Sequence, residues 1–320
     1  MRGGRAGTLY SLTWPHVGAF VQGKLRVGAR RKSAYGSRAI ENPYDPALLD
    51  YAEDATSKTP ETGLDIMARE LHAWDGTGPP PFDLDSVQAS GPLTFILPMA
   101  RWRQAGAPLA VDPYEKAKID EGQDWSPLEY SSFAACVKGP IETYGDPGQA
   151  IFLESKGGSD GQLPYAWTRA DYSEVLQNGY RVGNPVATVA ARVLAPYWDI
   201  PASAFAAPWA TEILVWDPAN QRPTTGLVLA HSRAYVAKWF KAWHLSGVPV
   251  VSGIDAPLRM SNIHGAKGTE SDDVYLLEWS APHMAALRRK EPAALRLLYV
   301  AMTRAKRRLH MPLSLMMATI

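Results

Sequence analysis

The sequence has only one cysteine, Cys136, in 320 residues, so it can form no internal disulfide and no cysteine-built zinc site. It has no apolar run approaching the length that spans a bilayer. Its N-terminus is positively charged but lacks the continuous apolar stretch of a secretory signal. These absences point to a reducing, cytoplasmic setting without a membrane partner. Low-complexity tracts are missing, and no internal repeat shows at the sequence level. Net charge is also nearly absent, at +1, which neither favours nor excludes a nucleic-acid partner. The remainder, 46% hydrophobic and 20% charged, is the composition of a globular protein. The length suffices for two domains, each with its own core.

The balanced charge hides local excess. Residues 1–40 hold Arg2, Arg5, Lys24, Arg26, Arg30, Arg31, Lys32 and Arg38 and no acid. Residues 285–310 set Arg288, Arg289, Lys290, Arg296, Arg304, Lys306, Arg307 and Arg308 against Glu291 alone. Such clusters can neutralise phosphates along a groove, and they serve equally well as solvated basic faces.

Hydrophobic patterning alternates between strand and helix. A strand over 116–124 ends in acids, a helix follows over 126–138, and a second strand rises within 139–152. The rhythm returns with a strand at 225–230, a helix at 232–246 stopped by Gly247 and Pro249, and a VPVV strand. A strand at 273–278, a helix around 291–306 and a closing strand at 307–313 complete it. The pattern predicts an α/β fold with parallel sheets covered on both faces. The stretch 40–110, with Pro79-Pro80-Pro81 and a helical segment at 61–74, reads as an insertion. A second seam at 153–166 contains Lys156-Gly157-Gly158. The predicted layout is a first domain over 1–39 and 111–155, a helical insertion over 40–110, and a second domain over 156–320.

Two polar clusters carry chemistry. Asp120-Glu121-Gly122-Gln123-Asp124 closes an apolar-flanked strand. One acid there can hold magnesium through its water shell while its neighbour orients or deprotonates an attacking water; taken alone, the pair also fits a surface acidic turn. Gly145-Asp146-Pro147-Gly148-Gln149 follows the next strand. Its Gln149 amide can sense a terminal phosphate, and a plain turn is the other reading.

Together, DEGQDWSPLE and GDPGQAIF resemble motifs II and III of UvrD/Rep-type superfamily 1A DNA helicases. Tyr180-Arg181 in LQNGYRVGNPVATVAARVL resembles motif IV, SNIHGAKGTESDDVYLLEW motif V, and LRLLYVAMTRAKRRLHM motif VI. Gly7-Thr8-Leu9-Tyr10-Ser11-Leu12 is similar to the short DNA-contacting segment upstream of motif II. The resemblance implies two RecA-like domains of the P-loop NTPase fold, the first incomplete at its N-terminus. It implies ATP and Mg2+ as cofactors, single-stranded DNA or a single-strand/duplex junction as partner, and a place in replication, recombination or repair. By the same resemblance Asp120 holds Mg2+ through water, Glu121 is the base, and Gln149 senses phosphate. Arg181 approaches the γ-phosphate, and Arg304 is the arginine finger; separately, the apolar face Leu297, Leu298, Val300 and Ala301 predicts a packed helix from which the Arg304 guanidinium projects. Glu270 reaches the ribose beside Gly268 and Tyr180. Thr8, Ser11, Phe152, His264 and Lys267 fall on the DNA track.

The sequence departs from that family in definite places. The phosphate loop G-x-x-x-x-G-K-[ST] does not occur in it; the one Gly-Lys pair, Gly23-Lys24, has the wrong surroundings. The expectation is a downstream portion of a larger protein, from truncation, a misplaced start codon or a split gene, and inactive as an ATPase on its own. A separate polypeptide carrying the loop would be its partner. Phe152 is followed by Leu153-Glu154-Ser155, without the family's second aromatic and arginine. Tyr10 stands where histidine is common and Thr269 where leucine is usual, and the interval between motifs IV and V leaves no room for a large accessory insertion. The alternative reading is a non-hydrolysing module that holds single-stranded DNA or a partner.

Overall fold

The computed structural model describes residues 63–109, 112–153, 163–176, 179–198, 206–245 and 257–319, together with Thr13, Val17, Lys156, Gly158, Pro201 and Ala202. The segment with Thr8 and Ser11, the basic run of 1–40 and the expected VPVV strand lie outside the described residues. The chain divides into two compact units, with the break between Tyr172 and Ser173.

In the first unit, helices α1 (Gly63–Ala73) and α2 (Leu93–Gln104) bury Leu71, Leu84, Leu93, Ile96 and Leu97 in one apolar cluster with Leu128. Strand β1 (Ala117–Ile119) leads through helix α3 (Pro127–Ala134) to β2 (Ile141–Thr143). The two strands pair in parallel, Ala117 opposite Ile141 and Ile119 opposite Thr143. Both are shorter than the runs 116–124 and 139–152 suggested, because acids, glycines and Pro147 end the ladder within a few residues. Helix α3 starts where its sequence says it should. Ser126 Oγ accepts the Glu129 N–H at 3.2 Å while the Glu129 carboxylate accepts the Ser126 N–H at 2.8 Å. This reciprocal cap, with proline at the first helical position, satisfies donors that a helix start leaves open. A short α4 (Tyr165–Thr168) closes the unit, Tyr165 meeting Tyr130 edge-on at 5.7 Å.

The second unit opens with β3 (Val182–Gly183), α5 (Asn184–Leu194) and β4 (Ala206–Ala207). Its main sheet has five strands: β5 (Glu212–Val215), β6 (Gly226–Ala230), β7 (Leu258–Asn262), β8 (Ser271–Leu276) and β9 (Ala305–Met311). Their order across the sheet is β5-β9-β8-β6-β7, parallel throughout. Leu227, Val228, Leu229 and Ala230 are all buried, as a strand covered on both faces requires. Helix α6 (Arg233–Leu245) follows β6, and α7 (Ala281–Arg288), α8 (Pro292–Met302) and α9 (Leu313–Thr319) complete the unit. Helix α8 is buried along nearly its whole length and packs on α5. The fold is α/β with parallel sheets, as the alternation predicted.

Several elements differ from expectation, among them the unanticipated edge strand β5 (Glu212–Val215). Strand β7 was not anticipated, because in Leu258-Arg259-Met260-Ser261-Asn262 only Leu258 is fully buried and the polar remainder hides the strand. Helix α8 stops at Met302 rather than near 306, where the Thr303 hydroxyl donates to the Tyr299 and Val300 carbonyls. Among the described residues no helix is long and apolar enough to cross a membrane.

Candidate functional site

In the first unit the two polar clusters fold against each other. Asp120 leaves the end of β1 exposed, and its Oδ1 accepts the Glu121 N–H at 2.9 Å. Glu121 takes a left-handed backbone, φ 53° and ψ 38°, a conformation uncommon outside glycine and met most often where a site demands it. The turn carries Gly122–Asp124 as a single 3-10 turn, and the Gly122 N–H donates to the Tyr144 carbonyl at 2.9 Å. Gln123, 1% exposed, donates its amide to the Glu121 carboxylate and accepts the Asp146 N–H at 3.1 Å. Asp146 in turn caps Gly148 N–H at 2.9 Å and accepts the Gln149 side-chain amide at 2.9 Å. Glu121 and Gln149 are therefore joined through Gln123 and Asp146. Phe152 follows, half-buried.

The turn is braced from below. Lys156 donates to the Asp124 carbonyl at 2.7 Å and to both oxygens of Glu129, at 2.8 and 3.1 Å. His72 Nδ1 lies 2.9 Å from Ser126 Oγ on the same helix start. Burial lowers the His72 ring to about 4, the nearby Glu129 only partly opposing it.

In the second unit, residues from three sequence-distant motifs meet at one carboxylate. Glu270 pairs with Arg181 at 2.7 Å and, on its other oxygen, with Lys306. Lys306 foremost, and then Arg181, hold the Glu270 carboxyl below its ordinary value. The Glu270 carbonyl accepts Arg259 at 3.1 Å. Gly268 has φ +79°, and open space where a Cβ would point, so a ligand can approach the backbone there. Tyr180 is 79% exposed. His264 and Lys267 are half-buried in the turn after β7, where Asn262 Oδ1 accepts the Gly265 N–H at 3.1 Å.

Arg304 corrects one expectation. It does not project from a helix: it sits in the turn between α8 and β9, 0% exposed. Its guanidinium donates to the Val300 carbonyl at 3.0 Å, the Thr269 carbonyl at 3.3 Å and the Thr303 hydroxyl at 3.2 Å. These acceptors replace the water that a buried cation loses. Arg304 thus underpins the Thr269-Glu270 turn, and its own carbonyl accepts the Ser271 N–H at 3.0 Å. Arg307 and Arg308 lie on β9, and Arg308 forms a two-pronged pair with Asp273 of β8.

Three contributors went unassigned in the sequence: Gln123, Lys156 and Lys306. Gln123 lies inside DEGQD, and its signal was a neutral amide two positions from a glutamate. Lys156 looked like linker and Lys306 like one cation in a basic run, so neither offered a signal. Among the described residues no group of three or more His, Cys, Asp or Glu is placed to hold a metal. The exposed carboxylates of Asp120 and Glu121 are of the oxygen-donor type of which magnesium takes one or two beside water and phosphate oxygens.

Comparison with known proteins gives the chain a relationship. Residues 252–315, the stretch holding β7, β8, α7, α8 and β9, match the family model described as the UvrD-like helicase C-terminal domain. No curated protein sequence matches. Among solved structures, arterivirus nonstructural protein 10, a helicase in complex with DNA, is 18% identical with a TM-score of 0.41, over 66% of this chain and 42% of that one. The PRRSV helicase is 15% identical with a TM-score of 0.40, over 62% and 35% respectively. The C-terminal domain of a possible DNA helicase from Lactobacillus plantarum WCFS1 is 19% identical with a TM-score of 0.30, over 42% of this chain and 86% of that domain. The chain therefore spans less than half the length of either viral helicase.

Proposed function

We propose, for a chain whose C-terminal portion is that of a UvrD-like helicase, that it forms part of an ATP-driven translocase on single-stranded DNA, moving 3′ to 5′. The observation that carries the reading is the meeting of Arg181, Glu270 and Lys306 at one carboxylate, with buried Arg304 beneath the same turn. Cations from separate motifs gathered beside an open glycine turn suit a polyphosphate ligand. In this reading Glu270, Gly268 and Tyr180 receive the nucleoside and Arg181 stabilises charge that develops on the γ-phosphoryl group, while buried Arg304 holds the turn beneath them. Asp120 holds Mg2+ through its water shell, which when bound neutralises phosphate charge. Glu121 takes the proton of the attacking water, and Gln149 contacts the terminal phosphate. Phe152, His264 and Lys267, with Thr8 and Ser11, form the DNA track, where aromatic stacking typically contributes roughly 1–3 kcal/mol per base.

The test is phosphate release from ATP with and without single-stranded DNA. The chain alone should release none, because its sequence contains no phosphate loop. Mixed with a polypeptide that supplies the loop, it should become DNA-stimulated, and Glu121→Gln should abolish that activity. Nucleotide-independent DNA binding with no phosphate release in any mixture would instead favour the non-hydrolysing module.

A further inference from the structure

Gln123 lies between the two polar clusters of the first unit and has no role in the reading above. Its side chain is a neutral amide, and both ends are used: the nitrogen donates to Glu121 and the oxygen accepts the Asp146 N–H at 3.1 Å. At 1% exposure the Gln123 side chain is shut away from water, so its two partners are what satisfy its amide. The backbone around it is shaped to admit it. A Cβ on Gly145 would come within 2.0 Å of the Gln123 oxygen and 3.0 Å of the Trp167 ring, so only glycine there leaves the amide its place. The left-handed turn at Glu121, φ 53°, folds the carboxylate back toward the same amide. An amide is the group this position needs: a carboxylate would repel Glu121, and an apolar side chain would leave the Asp146 N–H unsatisfied.

We propose that Gln123 is a positioning residue: it fixes the Glu121 carboxylate and ties it to the Gly145–Gln149 loop, so that a shift of that loop reorients the base. The proposal rests on the reading of Glu121 as the base. Asp146 extends the tie to Gln149, and a loop that moves on contact with nucleotide or DNA would thereby act on the hydrolytic carboxylate without touching it.

Two measurements test it, and their failures are distinguishable. The first uses the full chain alone, with unfolding midpoints followed against pH. Gln123→Glu places a second carboxylate against Glu121 and raises the folded-state proton affinity of the pair. Relative to wild type, its midpoint should therefore fall as pH rises through the carboxylate range. The exchange variant Glu121→Gln with Gln123→Glu restores one amide facing one carboxylate, and should recover the wild-type profile. An unchanged profile for Gln123→Glu, or no recovery in the exchange variant, overturns the bridge. The second uses the chain mixed with a polypeptide supplying the phosphate loop. Gln123→Ala should lower kcat at least tenfold with KM for ATP within twofold, and Gly145→Ala should reproduce that split. The exchange variant should stay inactive although stably folded. An unchanged kcat in Gln123→Ala overturns the positioning role, whereas a wild type without phosphate release overturns the reading of Glu121 and leaves the bridge to be decided by the pH profiles.

Discussion

The two units handle the same chemistry, a glutamate held by basic side chains, in opposite ways. In the first, the Glu129 side chain is 3% exposed and meets Lys156, itself 28% exposed, with His72 and a helix cap packed around it. In the second, the Glu270, Arg181 and Lys306 side chains are 36%, 40% and 39% exposed. Burial makes the first arrangement a lock, because separating its charges strands one of them away from water. Exposure makes the second a latch, because water stands ready to replace either partner. The lock holds the turn that carries Asp120, Glu121 and Gln123. The latch occupies groups that the proposed nucleotide would have to recruit.

The largest expected effect comes from breaking the lock on one side. Glu129→Leu leaves Lys156 half-partnered and removes the carboxylate half of the helix cap, and should destabilise the chain by about 3 kcal/mol. Glu270→Leu should cost roughly 0.5 kcal/mol. Urea unfolding read by peptide-resolved hydrogen exchange measures both in their own units. The double variant Glu129→Leu with Lys156→Met should recover most of the loss, since an apolar pair needs no charge compensation. Equal losses for Glu129→Leu and Glu270→Leu would erase the contrast.

Acid should release the lock from the protonation side. Burial puts the folded-state His72 value near 4, below that of an exposed imidazole, near 6.5. The unfolded chain therefore takes up this proton first. The contribution of neutral His72 is fully present above pH 6.5 and is lost as pH falls toward 4, about 3 kcal/mol in all. Burial presses the Glu129 carboxyl upward, but Lys156 and His72 together outweigh it and leave it below its ordinary value. Its contribution is lost in the same direction, below the carboxylate range. His231, which burial and His283 push to about 3, gives the second unit the same sign, so the discriminating variant is His72→Asn. In hydrogen exchange across pH 6.5 to 4, this change should flatten the loss in the first unit and leave that of the second unaltered.

Much of the second unit was legible in the sequence because β6 is buried on both faces and the main helices are regular. Gly226–Ala230 and Ser271–Leu276 announce themselves by apolar runs, and α6 by its length before Gly247. Strand β7 was not legible, since partial exposure lets Arg259, Ser261 and Asn262 stand in a strand. The polar sites followed a similar rule. Asp120, Glu121, Glu270 and Arg304 stand out by charge and spacing, but their partners do not. Gln123 is neutral, Lys156 follows the second cluster by several residues, and Lys306 sits among other cations. The orientation of Arg304 was misjudged for a related reason. A run of apolar residues shows where a helix packs, but not that three oxygens of the surrounding turns will claim the next side chain.

The smallest effect tests the latch itself. Arg181 lies 2.7 Å from Glu270, close enough for a strong contact if it were dry. Yet Glu270 keeps Lys306 on its other oxygen, and its backbone carbonyl is held separately by Arg259 at 3.1 Å. Removing Arg181 therefore leaves no stranded carboxylate, and Arg181→Ala should change stability by less than about 0.5 kcal/mol, with the remainder vanishing in high salt. The same substitution should weaken binding of a fluorescent ATP analogue, because the guanidinium is costly to lose only once a phosphate has displaced Glu270 from it. A stability loss approaching that of Glu129→Leu would show that Arg181 locks the fold rather than waiting for a ligand, and the contrast between the two units would then fail at its exposed end.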